Sequence, residues 1–146
     1  MKVVLDTNIL VSSLITPDSP PHRLYEAWRA GAFMLVTCDE QFEEFRRVTR
    51  HEKLRRYIEP AAAGALLNEL RKLAQRIEKL PKVRRSPDAA DDYLLALAQT
   101  ASADYLVTGD KSGLLALKRH GKARIVTPRQ FSEMIAPKPR RRIRSR

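Results

Sequence analysis

The chain of 146 residues has a single cysteine, Cys38, so no disulfide can form within it, and a reducing compartment suits it. Its three histidines, His22, His51 and His120, lack the close spacing of a zinc site. Metal binding would have to come from oxygen ligands, which suit hard ions such as magnesium or manganese. No stretch approaches the ~20 apolar residues of a membrane span. The apolar run after Lys2 is broken by Asp6 and Asn8, and no small-residue cleavage site follows, so a signal peptide is not expected and a cytoplasmic location is. Acidic charge is also scarce. Seventeen Asp and Glu against 28 Lys and Arg give a net charge of +11 and a pI near 10.3, which implies a polyanionic partner, most simply nucleic acid.

What is present describes one globular domain: 43% of residues are hydrophobic and 31% charged. Six of the cations, Lys138, Arg140, Arg141, Arg142, Arg144 and Arg146, crowd the last residues, leaving about half of the excess for the body. Residues 137–146 read as a basic, disordered tail on a domain spanning 1–136.

Val3-Val4-Leu5 reads as a short buried strand that delivers Asp6 at its end. A short helix over Thr7 to Leu14 follows, closed by the turn signals from Pro17 to Pro21. Leu24, Ala27 and Trp28 mark an amphipathic helix that Gly31 ends. Phe33 to Val36 is a second strand, and a helix runs from Asp39 towards Arg50. The alanine- and leucine-rich stretch after Pro60 predicts a long helix ending near Pro81. Lys82 to Arg85 fits a short strand or a basic loop equally well. Pro87-Asp88 opens another helix. Strand Tyr105 to Val107, a turn at Thr108-Gly109-Asp110, a short helix over Leu114 to Leu117, strand Arg124 to Val126 and a helix over Phe131 to Ile135 complete the chain. Short apolar strands alternating with helices imply an α/β domain of three layers, α/β/α, around a parallel sheet of about five strands. Right-handed crossovers place the strand-to-helix loops along one edge, where Asp6 and Asp110 both fall.

Four acids draw attention. Asp6 and Asp110 each follow a strand, and each has an equally good reading as a helix cap. Helical geometry separates the others, at ~100° per residue. If Phe42, Phe45, Val48 and Thr49 face inward, Glu43 points to solvent and Glu44 lies on the flank, where it either leans over the sheet edge or pairs with Arg47 on the surface. In the helix opened by Asp88, Asp91 lies within about 50° of the centre of the leucine face while Asp92 points to water. Asp91 is either the partner of Asp88 in a capping arrangement or a carboxylate that needs a cation. Gathered together, four such acids would repel one another unless a cation sat among them.

The stretch Leu5-Asp6-Thr7-Asn8-Ile9-Leu10-Val11-Ser12 resembles the opening motif of the PIN domain family. Thr37 to Val48 resembles its second motif, in which the acid four residues before the valine is the functional one. Asp88 to Ala98 resembles the third motif and Ala103 to Lys111 the fourth. The likeness runs in order to about Ile135, and the branch it resembles is that of the toxin components of prokaryotic toxin–antitoxin pairs. It implies a parallel sheet between helices, a Mg2+- or Mn2+-dependent endoribonuclease, a homodimer, and a small antitoxin protein that blocks the site. The functional positions carry over to Asp6, Glu44, Asp91 and Asp110 as metal ligands and catalytic acids, with Asn8 and Thr108 in support. Ser112 stands where the family often has a further acid, which leaves one or two metal ions open, and Ala89-Ala90 replaces a frequent proline and polar residue. Arg84, Arg85 and Lys111 are the expected RNA contacts, with the tail and the basic helix faces beside them. Two rivals remain: a phosphohydrolase using Asp6 as nucleophile, which would ordinarily want an Asp at the position of Asn8, and an RNA-binding protein without catalysis.

Overall fold

The computed structural model describes residues 1–109 and 113–136. The tail expected at 137–146 and the expected site residues Asp110 and Lys111 lie outside the described residues, as does Ser112.

The strands are β1 (Lys2–Leu5), β2 (Met34–Cys38), β3 (Gln75–Ile77), β4 (Tyr105–Val107), β5 (Arg119–His120) and β6 (Ala123–Val126). They form one sheet in the order β3-β2-β1-β4-β6-β5. Five strands are mutually parallel, as expected; the sixth, β5, is a two-residue strand antiparallel to β6 across a tight hairpin at Gly121. Alternation along each strand splits the side chains between two cores. Val3, Leu5, Leu35, Val107 and Val126 pack on one face, and Val4, Val36, Leu106 and Ile125 on the other.

On the first face lie α1 (Thr7–Ile15), α2 (Pro20–Arg29), α3 (Asp39–Thr49), α5 (Pro60–Leu73) and α8 (Pro128–Ile135), which contribute Leu10, Leu24, Phe45, Leu66, Leu70 and Phe131. A one-turn α4 (Glu52–Arg55) links α3 to α5. On the second face lie α6 (Asp92–Ala101), entered through a 3-10 turn at Ala89–Asp91, and the one-turn α7 (Leu114–Leu117). Burial of the sheet on both faces explains why its strands read as near-continuous apolar runs.

Two expectations are corrected. The helix after Pro60 ends at Leu73 rather than near Pro81, and Gln75–Ile77 extends as β3 beside Val36, Thr37 and Cys38. Pairing with β2 overrides the helix propensity of the lysine- and leucine-rich stretch that follows, and Arg76 fastens the edge through two bonds to the Asp39 carboxylate, at 2.9 and 2.8 Å. Of the two readings left open for Lys82 to Arg85, the structure has the loop. It closes when the backbone N–H groups of Arg85 and Ser86 both donate to Asp92 Oδ1, at 3.0 and 2.7 Å. Asp92 is thus half-buried and bonded rather than pointing to water.

Candidate active site at the carboxyl edge of the sheet

The sheet order reverses direction at β1, whose chain proceeds to β2 on one side while β4 lies on the other. In open α/β sheets the crevice beyond such a reversal is where ligands bind. Asp6 follows β1 at this point and Thr108 follows β4, and the Asp6 N–H donates to the Val107 carbonyl at 2.9 Å, tying the two strand ends together.

Asp6 is 6% exposed. Its Oδ1 accepts from the Asn8 backbone N–H at 3.2 Å, making it the N-cap of α1, and its Oδ2 accepts from the Thr108 hydroxyl at 2.8 Å. The cap reading of Asp6 therefore holds for one oxygen, while the other accepts from Thr108 across the strand ends. Both support residues touch Asp6 as expected, but Asn8 does so through its backbone while its side chain is exposed.

Glu44 sits half-buried on the flank of α3, and Glu43 is exposed, as the helical wheel indicates. Its Oε1 accepts a hydrogen bond from the Tyr93 hydroxyl of α6. No cation pairs with it among the described residues, so pairing with Arg47 does not occur. Tyr93 also bonds to Thr7 Oγ1 at 2.9 Å, which places Glu44 one tyrosine away from the residue that follows Asp6. Burial, and then the bond to Glu44, push the Tyr93 phenol far above its usual range, so it remains a proton donor.

Below this lies Gln41, fully buried on α3. Its Nε2 donates to the Leu5 carbonyl at 2.7 Å and to Thr7 Oγ1 at 3.4 Å, and its Oε1 accepts from the Thr37 hydroxyl at 2.7 Å. Asp6, Thr7, Thr37, Gln41 and Thr108 are five of the six buried polar or charged residues described, the sixth being Ser13. Buried polar groups are thus concentrated at one strand edge. Gln41 and Tyr93 were not among the expected residues.

Asp91 closes the 3-10 turn and is the N-cap residue of α6, where it makes no side-chain cap bond. The capping role belongs to Asp88, whose Oδ1 accepts from the Ala90 N–H at 3.0 Å. Among the described residues no three His, Cys, Asp or Glu groups lie close enough to share an ion, the fourth expected acid, Asp110, being outside them. The oxygen donors in this network are the Asp6 and Glu44 carboxylates and the Thr7, Thr108 and Tyr93 hydroxyls, groups whose chemistry suits a hard divalent ion. Cys38, the nearest sulfur on β2, is buried, and desolvation pushes its thiol up to about 12, so no thiolate is present near neutral pH.

Of the expected RNA contacts, Arg84 is exposed, while the Arg85 guanidinium is engaged with the Arg119 carbonyl at 2.7 Å and His120 Nδ1 at 2.9 Å. A separate groove of about 820 Å3 runs between α3, α4 and α5, with Phe45, Ile58 and Leu67 at its floor and Arg46, Arg50, Arg55 and Arg56 around it. No described helix is long and apolar enough to cross a membrane.

No curated protein matches the sequence. Among solved structures, the fold is similar to that of a chain in the crystal structure of VapBC2 from Rickettsia felis bound to a DNA fragment from their promoter, with a TM-score of 0.52 at 16% identity, covering 87% of this chain and 98% of that one. A family model described as PIN domain matches residues 2–112, a span holding all four expected acids; the chain belongs to the PIN domain family.

Proposed function

We propose that the protein is a metal-dependent endoribonuclease that hydrolyses RNA phosphodiester bonds, the toxin of a toxin–antitoxin pair. The observation that carries this reading is that Glu44 is linked through Tyr93 to Thr7, the residue after Asp6, at the β1/β4 switch point where Thr108 holds Asp6. Asp6, Glu44, Asp91 and Asp110 would hold Mg2+ or Mn2+. A bound divalent ion acidifies water and neutralises charge on a phosphate. The chain's own part is positional. Thr108 and the Asn8 N–H hold Asp6 in one orientation, and Glu44, bonded among the described residues through Oε1, would have Oε2 to orient the attacking water. Cationic side chains elsewhere hold the RNA backbone without reading bases. Membership of the PIN domain family and the fold shared with a chain of R. felis VapBC2 support an antitoxin partner, and the protein is expected to act as a cytoplasmic homodimer.

The test is cleavage of labelled RNA by the protein with Mn2+, with Mg2+ and with excess chelator, beside Asp6→Asn. Cleavage that needs the ion and falls by about a hundredfold or more in the variant is expected. Cleavage that survives chelation, or is equal in the variant, would overturn the reading. A covalent phosphate on Asp6 would point to a phosphohydrolase instead, and RNA binding without cleavage to a non-catalytic protein.

A further inference from the structure

Glu44 reaches the site through Tyr93, and the hydrogen bonds around that tyrosine leave no freedom in how they are assigned. The phenol is the donor in its bond to Glu44, so its single proton goes to Glu44 Oε1. Thr7 must then be the donor in its 2.9 Å bond to the phenol oxygen. With its proton committed, the Thr7 oxygen is an acceptor, and the Gln41 amide faces it at 3.4 Å. The other Gln41 N–H goes to the Leu5 carbonyl and its oxygen receives the Thr37 hydroxyl. One proton from each of Thr37, Gln41, Thr7 and Tyr93 is passed along the series towards Glu44, the second Gln41 N–H being anchored on Leu5, and such series polarise in one sense.

The outcome at Glu44 is asymmetric. Oε1 is tied to a residue of α6, whereas Oε2 has no partner among the described residues. A glutamate on a helix flank ordinarily samples several rotamers in water. This one is pinned across 49 residues of sequence by a phenol that is itself pinned.

We propose that Tyr93 is a positioning residue of the nuclease site: it locks the Glu44 carboxylate so that one oxygen is held and the other is presented to a divalent ion or to the water the ion orients. Thr7 and Gln41 set the direction of the Tyr93 proton. The inference rests on the metal-dependent reading above and extends it to a residue that bears no charge.

The experiment uses the full chain, with Tyr93→Phe, Thr7→Val, Glu44→Gln and the Tyr93→Phe/Glu44→Gln double variant. Mn2+ affinity is read from the EPR signal of free Mn2+ during titration, and kcat and KM from RNA cleavage, with thermal unfolding as a check of fold. Tyr93→Phe keeps the ring and its packing. It is expected to weaken Mn2+ binding and to lower kcat, each by about tenfold, with KM for RNA unchanged. Thr7→Val should move both in the same direction by less. In the Glu44→Gln background, Tyr93→Phe should add nothing further, because its effect passes through that carboxylate. Wild-type Mn2+ affinity and kcat in Tyr93→Phe would overturn the proposal, and so would an equal loss in the Glu44→Gln background, which would mark Tyr93 as a packing residue. A wild-type protein that neither binds Mn2+ nor cuts RNA would bring down the metal-dependent reading and this proposal with it; an active wild type with an unaltered Tyr93→Phe would overturn this proposal alone.

Discussion

Gln41 does at the level of one residue what the sheet order does at the level of the fold: it connects β1, β2 and α1 beneath the acids. Replacing it by leucine keeps the approximate volume but strands the Leu5 carbonyl and the Thr37 hydroxyl in a site with no exposure. Each buried group left without a partner costs about 1–3 kcal/mol, so Gln41→Leu should lower unfolding stability by about 2–4 kcal/mol. Urea denaturation checks this, and a loss below about 0.5 kcal/mol would mean that the network is expendable. The signal for Gln41 was present in the sequence. It lies one turn before Phe45 on the inner face of α3, and an uncharged polar residue on an apolar stripe needs partners. Tyr93 had no comparable signal, since a half-buried aromatic beside Leu94 and Leu95 looks like core, and its partner Glu44 is distant in sequence. Glu44 was legible against Glu43 because the helix period alone separates them. The same period misjudged Asp92, whose partners come from the loop before the helix rather than from the helix face.

At the level of elements, long periodic segments were readable and pairings across the sheet were not. The inner face of α3 and the apolar face of α6 were visible in spacing, whereas β3 depends on a neighbour, β2, that its own three residues do not specify. The β5–β6 hairpin is similar. Two residues pair antiparallel, and a polar latch fastens them to α6 and the 82–86 loop: His120 Nε2 bonds Gln99 Oε1 at 2.9 Å, while Arg85 Nη1 bonds His120 Nδ1 and the Arg119 carbonyl. Arg85 can only donate, so Nδ1 accepts and the proton resides on Nε2. Burial and then the Arg85 charge hold the imidazole below its ordinary value of 6.5, opposed by Asp92. The folded state therefore binds fewer protons at His120 than the unfolded state does. The stability of this latch is present above pH 6.5 and is lost as the pH falls through that value towards the lower folded-state pKa. Denaturation of wild type and His120→Gln between pH 7.5 and 5.5 should show a steeper loss in wild type. Parallel pH profiles would show that the latch does not sense protonation. Because this latch bonds the loop that wraps Asp92, acid loosening should appear first in amide exchange at Arg85 and Ser86.

Across the whole molecule the distribution of charge separates chemistry from attachment. Asp6 and Glu44 belong to the polar network at the carboxyl edge, six cations lie in the last residues of the sequence, and the four guanidinium groups around the α3–α4–α5 groove form no ion pair among the described residues. The surface ion pairs of Arg29 with Glu69, Arg76 with Asp39 and Lys122 with Asp104 involve none of these four arginines. Arginines with no ion-pair partner among the described residues keep their charge for an external anion, and on the proposed nuclease reading that anion would be the RNA backbone. Each phosphate neutralised on a single strand contributes about 0.7 to the slope of log affinity against log salt concentration. Substituting Arg46, Arg50, Arg55 and Arg56 by alanine should therefore flatten that slope by up to about 3, and ending the chain after Ala136 by up to about 4. The groove change should raise KM at fixed salt and leave kcat at saturating RNA intact, because Asp6 and Glu44 are held by Thr108, the Asn8 N–H and Tyr93 rather than by these arginines. Filter binding at 50–200 mM salt measures the slopes. A groove variant with the wild-type slope would show that RNA bypasses these arginines, so that attachment rests on the end of the chain and the loops around Arg84.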